Sequence, residues 1–231
     1  MSAFVAVICG LKSEAAAIKA SLSAAKIDSA KARIGVSGAN AARAEDLAEG
    51  LIAAGARAVI SAGLCGGLAP DLKPGDLIIG ERVVSASGDV ILSDRKLLAA
   101  APQNILRVAI FGSDDIIESA EKKSQLFGRY ASQTVDMESH GAARAAARAG
   151  APFIAVRAVA DGSTRALPKA ALGAVTPSGG VNVVSVLIEC VKAPQQFEQI
   201  AMLGRESGAA TATLRRDFGD VFGAFLLALD L

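Results

Sequence analysis

The sequence predicts an α/β fold, a three-layer α/β/α sandwich around a mostly parallel, mixed central sheet. The first observation is that short apolar runs alternate with amphipathic segments of about 10–15 residues, the order of strands and helices in βαβ units. The second is that runs such as Phe4–Cys9 are apolar throughout, as expected of strands that helices cover on both faces. The 231 residues are 52% hydrophobic and contain no linker, which predicts one ordered domain over residues 1–231.

The first half of the chain alternates strands and helices regularly. Continuous apolar runs predict strands at 4–9, 32–36 and 58–62. The first intervening segment predicts a helix at 13–25 with Ser13 as its N-cap. The second predicts a helix at 41–54, which Gly55 ends. The stretch from 63 to 75 is rich in glycine and proline and predicts a loop.

The second half continues this alternation. We predict strands at 76–84, 106–111, 134–136 and 153–160, and helices at 94–101, 118–129 and 139–149. Gly150 ends the last of these helices. Within it, Arg144 and Arg148 stand four residues apart, which predicts one solvated face. From residue 181 to 231 the pattern is helical, and Pro194 divides it into two pieces.

A stripe of apolar residues recurs at helical spacing near the C-terminus. Its members are Phe218, Val221, Phe222, Phe225, Leu226 and Leu229. The stripe has two interpretations. It either docks on the core or on a second copy of the chain, or it forms a surface that accepts a lipid substrate or touches a membrane.

Composition and charge argue against several classes of protein. Lys and Arg number 24 against 23 Asp and Glu, and this net charge of +1 is not that of a nucleic-acid binder. There is no run of about 18 apolar residues to form a transmembrane helix, and the N-terminus lacks the basic region of a signal peptide. Cys9, Cys65 and Cys190 form no CxxC pair, so we expect neither disulfides nor zinc, and a reduced, cytoplasmic protein.

Ligands of α/β folds bind at the carboxyl ends of the strands. The sequence has neither the GxGxxG nor the P-loop phosphate motif. Instead, Gly63-Leu64-Cys65-Gly66-Gly67-Leu68 follows a predicted strand. Glycines such as Gly63 and Gly66 let backbone N–H groups approach a ligand, although a purely structural turn is the alternative. Cys65 is expected to pack in this segment rather than to act as a nucleophile.

Three further segments place carboxylates at strand ends. Asp136-Met137-Glu138-Ser139 can accept hydrogen bonds from a sugar diol, or can simply cap the next helix. Asp161 ends an apolar run, where burial would raise its pKa and make it a proton donor, although an Asp-Gly turn is the alternative. Glu14 follows the first strand and is either functional or a first-turn residue that the helix dipole favours. Together they indicate a sugar-binding acid–base site. The lone histidine, His140, is turned by about 200° from Glu138 and is not expected to be catalytic.

In these segments the chain resembles the purine nucleoside phosphorylase and uridine phosphorylase superfamily, above all its adenosine-type nucleosidases. The resemblance covers about residues 3–165 and rests on Gly63–Leu68, Lys73–Asp76, Val135–Ser139 and Val156–Asp161. Further segments are similar to one subgroup, the hopanoid-associated phosphorylases: Gly112–Ile117, Glu121–Lys123 and Arg165–Pro168. The resemblance implies a nucleoside phosphorylase-like fold, with no metal and no cofactor.

The resemblance also implies a role for each matching residue. Glu14 would activate the incoming nucleophile, and Asp161 would protonate the purine leaving group. Met137 and Glu138 would hold the ribose, with Glu138 accepting hydrogen bonds from its hydroxyls. The remaining substrate-binding positions would be Gly63, Cys65 and Gly66 of the glycine-rich segment, and Ile116 and Ile117 at the base, where the family often has an aromatic residue.

One departure from the family concerns the nucleophile. Its phosphorylases place an arginine and a serine around the glycine-rich segment to hold phosphate, and the matching positions here are Ser61 and Leu64. Arg43 or Arg57 could substitute, but both are expected to be surface charges. We therefore expect water as the nucleophile, with phosphate as the alternative co-substrate.

The resemblance implies cleavage of the N-glycosidic bond of an adenine nucleoside, releasing adenine from adenosylhopane in hopanoid biosynthesis. Two alternatives stay open: a phosphate-dependent phosphorylase of a soluble purine nucleoside, and a nucleoside-binding protein without catalysis. The family further implies a homo-oligomer. We expect no nucleic-acid partner and no transmembrane segment, while a lipid-linked substrate would bring the protein into peripheral contact with a membrane.

Overall fold

The structure is a computed structural model in which residues 3–168, 175–176, 178–182 and 196–231 are described. The strands are β1 (Phe4–Cys9), β2 (Ala32–Val36), β3 (Ala56–Gly67), β4 (Leu77–Ser85), β5 (Val90–Leu92), β6 (Leu106–Gly112), β7 (Thr134–Asp136) and β8 (Phe153–Asp161). The helices are α1 (Lys12–Ala24), α2 (Ala41–Ala53), α3 (Arg95–Ala100), α4 (Ala120–Tyr130), α5 (Ser139–Ala149) and α6 (Gln196–Ala228). The predicted helix break at Pro194, most of the helix predicted before it, and Cys190 lie outside the described residues.

The strands form one mixed sheet that closes on itself at one side. β2, β1, β3 and β8 are parallel neighbours in that order. β8 also pairs antiparallel with β4, which runs parallel to β6, and β6 runs parallel to β7. β7 then returns to the end of β3, so that Gly66 pairs with both Val135 and Asp161. This closure brings the ends of β3, β7 and β8 to one place.

Helices cover both faces of the sheet, which explains why the strands are apolar throughout. In β1, Val5 and Val7 pack in the cluster that contains Phe222 of α6, whereas Ala6 and Ile8 pack in the cluster formed with α2 and α5. Successive side chains of a strand point to opposite faces, so two covered faces require both sets to be apolar. The predicted α/β sandwich with a mixed sheet is confirmed.

The glycine-rich segment begins as strand, so the prediction of a loop over 63–75 was wrong for its first part. β3 continues through Gly67 and keeps its pairing with β8 beyond Gly63. Glycine is typical of turns, but it also stands in strands where other groups approach the backbone closely. The site described below supplies those groups.

The N-terminus of α1 also differs from the prediction. The helix begins at Lys12, and Ser13 is not its cap. Instead, the Glu14 side chain accepts a hydrogen bond from the Leu11 N–H at 2.8 Å. Glu14 therefore satisfies the N–H of Leu11, the N-cap residue of α1, and no serine caps this helix.

Arg144 and Arg148 lie on a partly exposed face, with side chains 38% and 53% exposed, and they are also paired with another helix. Both pair with Glu45 of α2, at 2.6 and 2.5 Å, and Arg148 also pairs with Glu49. Partial burial raises the pKa of Glu45, but the two arginines outweigh that effect and lower it. These contacts join α2 to α5 along the outer side of the helix layer.

The C-terminal stripe belongs to the core. Phe218, Val221, Phe222 and Phe225 are buried and pack in the cluster that includes Ile18 of α1. Docking on the core, the first of the two interpretations, therefore accounts for the stripe, and its buried members are not available to a lipid. Among the described helices, none is long and apolar enough to cross a membrane.

Candidate active site

A cavity of about 200 Å³ lies where the ends of β1, β3, β7 and β8 meet. Its walls come from segments that are far apart in the sequence. The lining includes Glu14, Leu64, Cys65, Gly66, Asp115, Ile116, Ile117, Lys123, Met137, Glu138, Asp161, Leu167 and Val175. Two groups of carboxylates lie at the two ends of this cavity, and each contacts a different cation. Arg157 contacts the first group, which includes Glu138, and Lys123 contacts Asp161.

Glu14 is fixed by the backbone at the first end. Its Oε2 accepts hydrogen bonds from the N–H groups of Gly10 and Leu11, both at 2.8 Å, and its Oε1 accepts from Leu64 N–H at 2.7 Å. Burial raises the pKa of this carboxyl, while Arg157 and the three N–H groups oppose the rise. The side chain is thus held in one orientation against β3, as a general base or an orienting group needs to be.

Arg157 is the fully buried cation of this end. Its Nη2 donates to Ser61 Oγ at 2.6 Å and to Ser139 Oγ at 3.0 Å, and its Nε lies 2.8 Å from Asp136 Oδ2. The neighbouring carboxylates raise its pKa despite the burial. The guanidinium therefore stays charged and joins β8 to the start of α5.

A glycine makes this approach possible. A Cβ on Gly63 would come within 2.7 Å of Arg157 Nη1 and 2.8 Å of the Glu14 carboxylate carbon. Side-chain carbons do not approach other atoms so closely, so any larger residue at 63 would push Glu14 and Arg157 apart. The requirement for glycine is therefore steric.

Glu138 shares the arginine with Glu14 and Asp136. Its Oε2 lies 3.4 Å from Arg157 Nη2, and its side chain lines the cavity. Burial, followed by the charges of Asp136 and Glu14, raises the pKa of Glu138 to about 8, against the effect of Arg157. Glu138 consequently carries a proton over much of the neutral range and can donate to a hydroxyl as well as accept from one.

Asp136 has a structural role beside its charge. Its Oδ1 accepts hydrogen bonds from the N–H groups of Glu138 and Ser139, at 3.0 and 2.8 Å. Asp136 thereby satisfies two N–H groups at the start of α5, whose N-cap residue is Glu138, and this resembles the capping role that one of the two alternatives for this segment predicts. These hydrogen bonds also fix the backbone that carries Met137 and Glu138.

The second end of the cavity holds Asp161 at the end of β8. The buried ammonium of Lys123 in α4 donates to Asp161 Oδ2 and, at 2.8 Å, to the carbonyl of Gly162. Burial raises the pKa of Asp161, and Lys123 opposes that rise. The cavity thus has a second carboxyl group, Asp161, whose contacting cation is Lys123 and not Arg157.

Apolar side chains occupy the space around these charges. Ile117 is buried, Ile116 is 36% exposed, and Leu167 and Val175 stand on the same cavity. No aromatic side chain lines it in the part of the chain that the structure describes. The apolar walls fit a flat heterocycle or an alkyl group, and the carboxylates fit hydroxyls and proton-accepting nitrogens.

The structure brings most of the predicted site residues together. Glu14, Asp161, Cys65, Gly66, Ile116, Ile117, Met137 and Glu138 all line the cavity. Gly63 does not, because it stands behind Glu14 and Arg157. Burial raises the pKa of the Cys65 thiol far above its ordinary range, which keeps the thiol protonated and unreactive. His140 lies outside the lining and contacts Asp114 at 3.0 Å.

The expectation for the arginines needs a correction. Arg57 is exposed, as predicted, and Arg43 is half-buried near the carbonyl of Gly38, but the arginine at the site is Arg157. The sequence contained a signal for it, because Arg157 interrupts an otherwise apolar strand that is buried along its whole length. Lys123 was also missed, since it stands in a charged run that looks solvated.

The fold and the site together place buried acid–base groups and apolar side chains around one cavity. The chain belongs to the phosphorylase superfamily, whose family model matches residues 5–192. A 5'-methylthioadenosine/S-adenosylhomocysteine nucleosidase from Haemophilus influenzae (strain PittEE) is 30% identical over 128 residues. That match covers 45% of this chain and 56% of the relative, so the chain spans only about half the length of this curated relative.

Solved structures share the fold. A futalosine hydrolase mutant from Helicobacter pylori superposes with a TM-score of 0.66 at 16% identity, covering 93% of this chain and 97% of that one. The 5'-methylthioadenosine/S-adenosylhomocysteine nucleosidase from Neisseria meningitidis, in complex with methylthio-immucillin-A, gives 0.64 at 19% identity, covering 93% and 98%. At such identities the likeness shows the fold alone.

Proposed function

We propose that this protein cleaves the N-glycosidic bond of an adenine nucleoside. The observation that carries the proposal is that one cavity presents two separate buried acid–base groups, Glu14 and Glu138 around Arg157 and Asp161 with Lys123. Breaking this bond makes the ribosyl carbon positive and the base negative, so a catalyst needs different chemistry at each end of the substrate. Nucleosidases with the same fold, and a relative that matches over half its length, support this assignment.

The arginine end fits the ribose. Three carboxyl groups surround one guanidinium there, so a negative surplus develops as they ionise. A negative surplus stabilises the oxocarbenium-like charge that forms at the sugar in the transition state. Glu138 contacts the hydroxyls in this arrangement, and Met137 packs against the ring.

The lysine end fits the base. Asp161 has a raised pKa, contacts Lys123, and lines the cavity together with the apolar side chains Ile116 and Ile117. A protonated carboxyl at this position donates its proton to a purine nitrogen as the C–N bond breaks. General acid catalysis of this kind is worth about 10²–10⁴-fold in rate.

Water is the nucleophile in this proposal. Arg157, the buried cation beside the glycine-rich segment, is already engaged by the carboxyl groups of Asp136 and Glu138, which leaves it less available to a phosphate dianion. Glu14 is oriented to take a proton from water. Phosphorolysis is the second candidate, because Arg157 Nη1 has no hydrogen-bond partner among the described residues, but this atom is buried behind the cavity lining.

The finer proposal is that the nucleoside is adenosylhopane. Its support is that the segments resembling the hopanoid-associated subgroup supply cavity residues, namely Ile116, Ile117, Lys123 and Leu167. The cavity of about 200 Å³ is smaller than the usual 300–1,000 Å³ of ligand pockets. It therefore has room for the nucleoside part of the substrate but not for a polycyclic lipid in addition. The hopane skeleton would extend past Ile116 to the outside.

The test is a measurement of base release from adenosylhopane, from soluble adenine nucleosides and from nucleosides of other purines. Each substrate is assayed with and without phosphate. Phosphate-independent release from adenosylhopane alone is the expected result. Release that requires phosphate would replace hydrolysis by phosphorolysis, and preference for a soluble nucleoside would overturn the lipid assignment. Tight nucleoside binding without release from any of them would make the protein a binding protein.

A further inference from the structure

Asp161 is held by a buried lysine that comes from a different part of the fold. The Lys123 side chain is 1% exposed, and its ammonium donates to Asp161 Oδ2 and to the carbonyl of Gly162. Lysines are rarely buried to this extent, because removing an ammonium from water is costly unless it is paired. The contact therefore needs a reason other than filling space.

The local sequence explains how Lys123 is buried. Lys123, Leu126, Phe127 and Tyr130 follow the i, i+3, i+4, i+7 spacing of one helix face, and the last three pack against the cluster around Phe111. Ser119 caps α4 by accepting from the Lys122 N–H at 3.2 Å. Lys123 thus takes the first position of an apolar face, at the point where that face reaches the cavity.

The chemistry of Asp161 gives a reason for a cation at this position. As the C–N bond breaks, its electron pair goes to the base, and the proton of the Asp161 carboxyl goes to a base nitrogen. The carboxylate that remains lies in a buried site, where an isolated negative charge is costly. A neighbouring ammonium stabilises that carboxylate and so makes the carboxyl a stronger acid.

We propose that Lys123 is a positioning residue that orients the carboxyl of Asp161 toward the leaving base and stabilises the carboxylate formed when the proton is donated. This inference rests on the proposed function, because it assumes that Asp161 is the general acid. In this role Lys123 of α4 affects catalysis only through Asp161. Its effect is limited to substrates whose leaving group needs a proton.

Other charged groups face Asp161 as well. Glu206 of α6 raises its pKa, and Arg165, which pairs with Glu206, lowers it. The Cys65 thiol on β3 is affected by Asp161 but stays protonated. Lys123 is the group in direct contact with the carboxylate, so its removal is expected to have the largest effect on Asp161.

The test compares two leaving groups. Lys123→Met keeps the length of the side chain and removes its charge, and Lys122→Met is the matched control because Lys122 is the exposed neighbour. One substrate is the nucleoside that the wild-type protein cleaves best in the assay above. The other is 4-nitrophenyl β-D-ribofuranoside, whose phenolate leaves without a proton.

For Lys123→Met we expect at least about a tenfold loss of kcat/KM on the nucleoside and a change within about threefold on the nitrophenyl riboside. The basic limb of the pH profile on the nucleoside moves to higher pH, because loss of the ammonium raises the pKa of Asp161. Lys123→Arg restores part of the activity. In an Asp161→Asn background, Lys123→Met causes no further loss on the nucleoside.

Equal losses on both substrates would show that Lys123 is merely structural and would overturn the proposal, as would full activity of Lys123→Met on the nucleoside. If Lys123→Met does not fold, Lys123→Gln replaces it and the same comparison applies. A wild-type protein that cleaves neither substrate would instead contradict the proposed function itself.

Discussion

The two charged clusters of the cavity, one around Arg157 and one around Asp161, differ in how their buried charges are compensated. Around Arg157, three carboxyl groups compete for one cation, and the pKa of Glu138 rises to about 8 as a result of burial and these neighbours. Around Asp161, one carboxyl group meets one lysine. The first cluster can gain negative charge by ionising its carboxyl groups beside a developing sugar cation, whereas the second is balanced and suits the handling of one proton. The two ends of one nucleoside need these two environments.

The largest effect is expected when the arginine cluster loses its cation. Arg157→Met leaves buried carboxyl groups without their cation and should lower the free energy of unfolding by about 3–5 kcal/mol. Urea denaturation at pH 7 measures the change, and Arg57→Met provides an exposed arginine as control. An unchanged unfolding midpoint for Arg157→Met would mean that the carboxyl groups do not depend on the guanidinium.

The second prediction concerns the lysine end. Asp161→Asn removes the proton donor but keeps a side chain of the same size, so base release should fall by at least about 100-fold while the protein stays folded. Release of adenine is measured by chromatography, and the circular dichroism spectrum checks the fold. Near-normal turnover would remove Asp161 from the role of general acid.

The third prediction concerns the Glu138 carboxyl, which binds a proton more tightly in the folded protein than in the unfolded protein. The pKa of Glu138 is about 8 in the folded chain and near its ordinary value of 4.5 when unfolded, so the folded state holds the proton between these values. Its contribution to stability is therefore full below about pH 4.5 and is lost as the pH rises through 8. Glu138→Gln does not titrate, so its free energy of unfolding relative to the wild type should rise by about 3 kcal/mol between pH 6 and pH 9.

Thermal or urea unfolding at several pH values measures this gain, with Glu49→Gln as an exposed control. A difference between Glu138→Gln and the wild type that stays constant with pH would contradict the raised pKa. In kinetic assays the same variant should mainly damage ribose recognition, and unaltered kinetics would exclude Glu138 from the site.

Much of the fold could be predicted because its signals are local. The strand Phe4–Cys9 and the helix Ser139–Ala149 lie where the apolar runs and Gly150 place them. The glycine-rich end of β3 could not be assigned this way, since its glycines make room for Glu14 and Arg157, which come from elements distant in sequence. Sequence patterns report on neighbours along the chain, and close approach across the fold leaves no such pattern.

The site shows the same limit. Glu14, Glu138 and Asp161 could be proposed because carboxylates at strand ends stand out. Lys123 could not be proposed, because a lysine in a charged run resembles a solvated residue. The only indication of its burial is the helix face that it shares with Phe127. The partners of Arg144 and Arg148 were missed for the same reason, since Glu45 lies on another helix.

The smallest effect is expected from that helix pair, which provides a charged cluster outside the cavity. Glu45 and Arg144 remain partly exposed, so water and ions weaken their attraction. Arg144→Ala should lower the free energy of unfolding by about 0.5 kcal/mol and leave base release unchanged. A loss as large as that of Arg157→Met would mean that burial does not distinguish the cavity clusters from surface pairs.

The most direct test of the account is to follow cleavage of an adenine nucleoside in ¹⁸O-labelled water, with and without phosphate. We expect adenine and a free sugar with solvent oxygen at C1, formed at the same rate in both conditions. A sugar 1-phosphate that forms only when phosphate is present would contradict the assignment of water as the nucleophile. The absence of any cleaved product would contradict the central claim that the two clusters act on the two ends of an N-glycosidic bond.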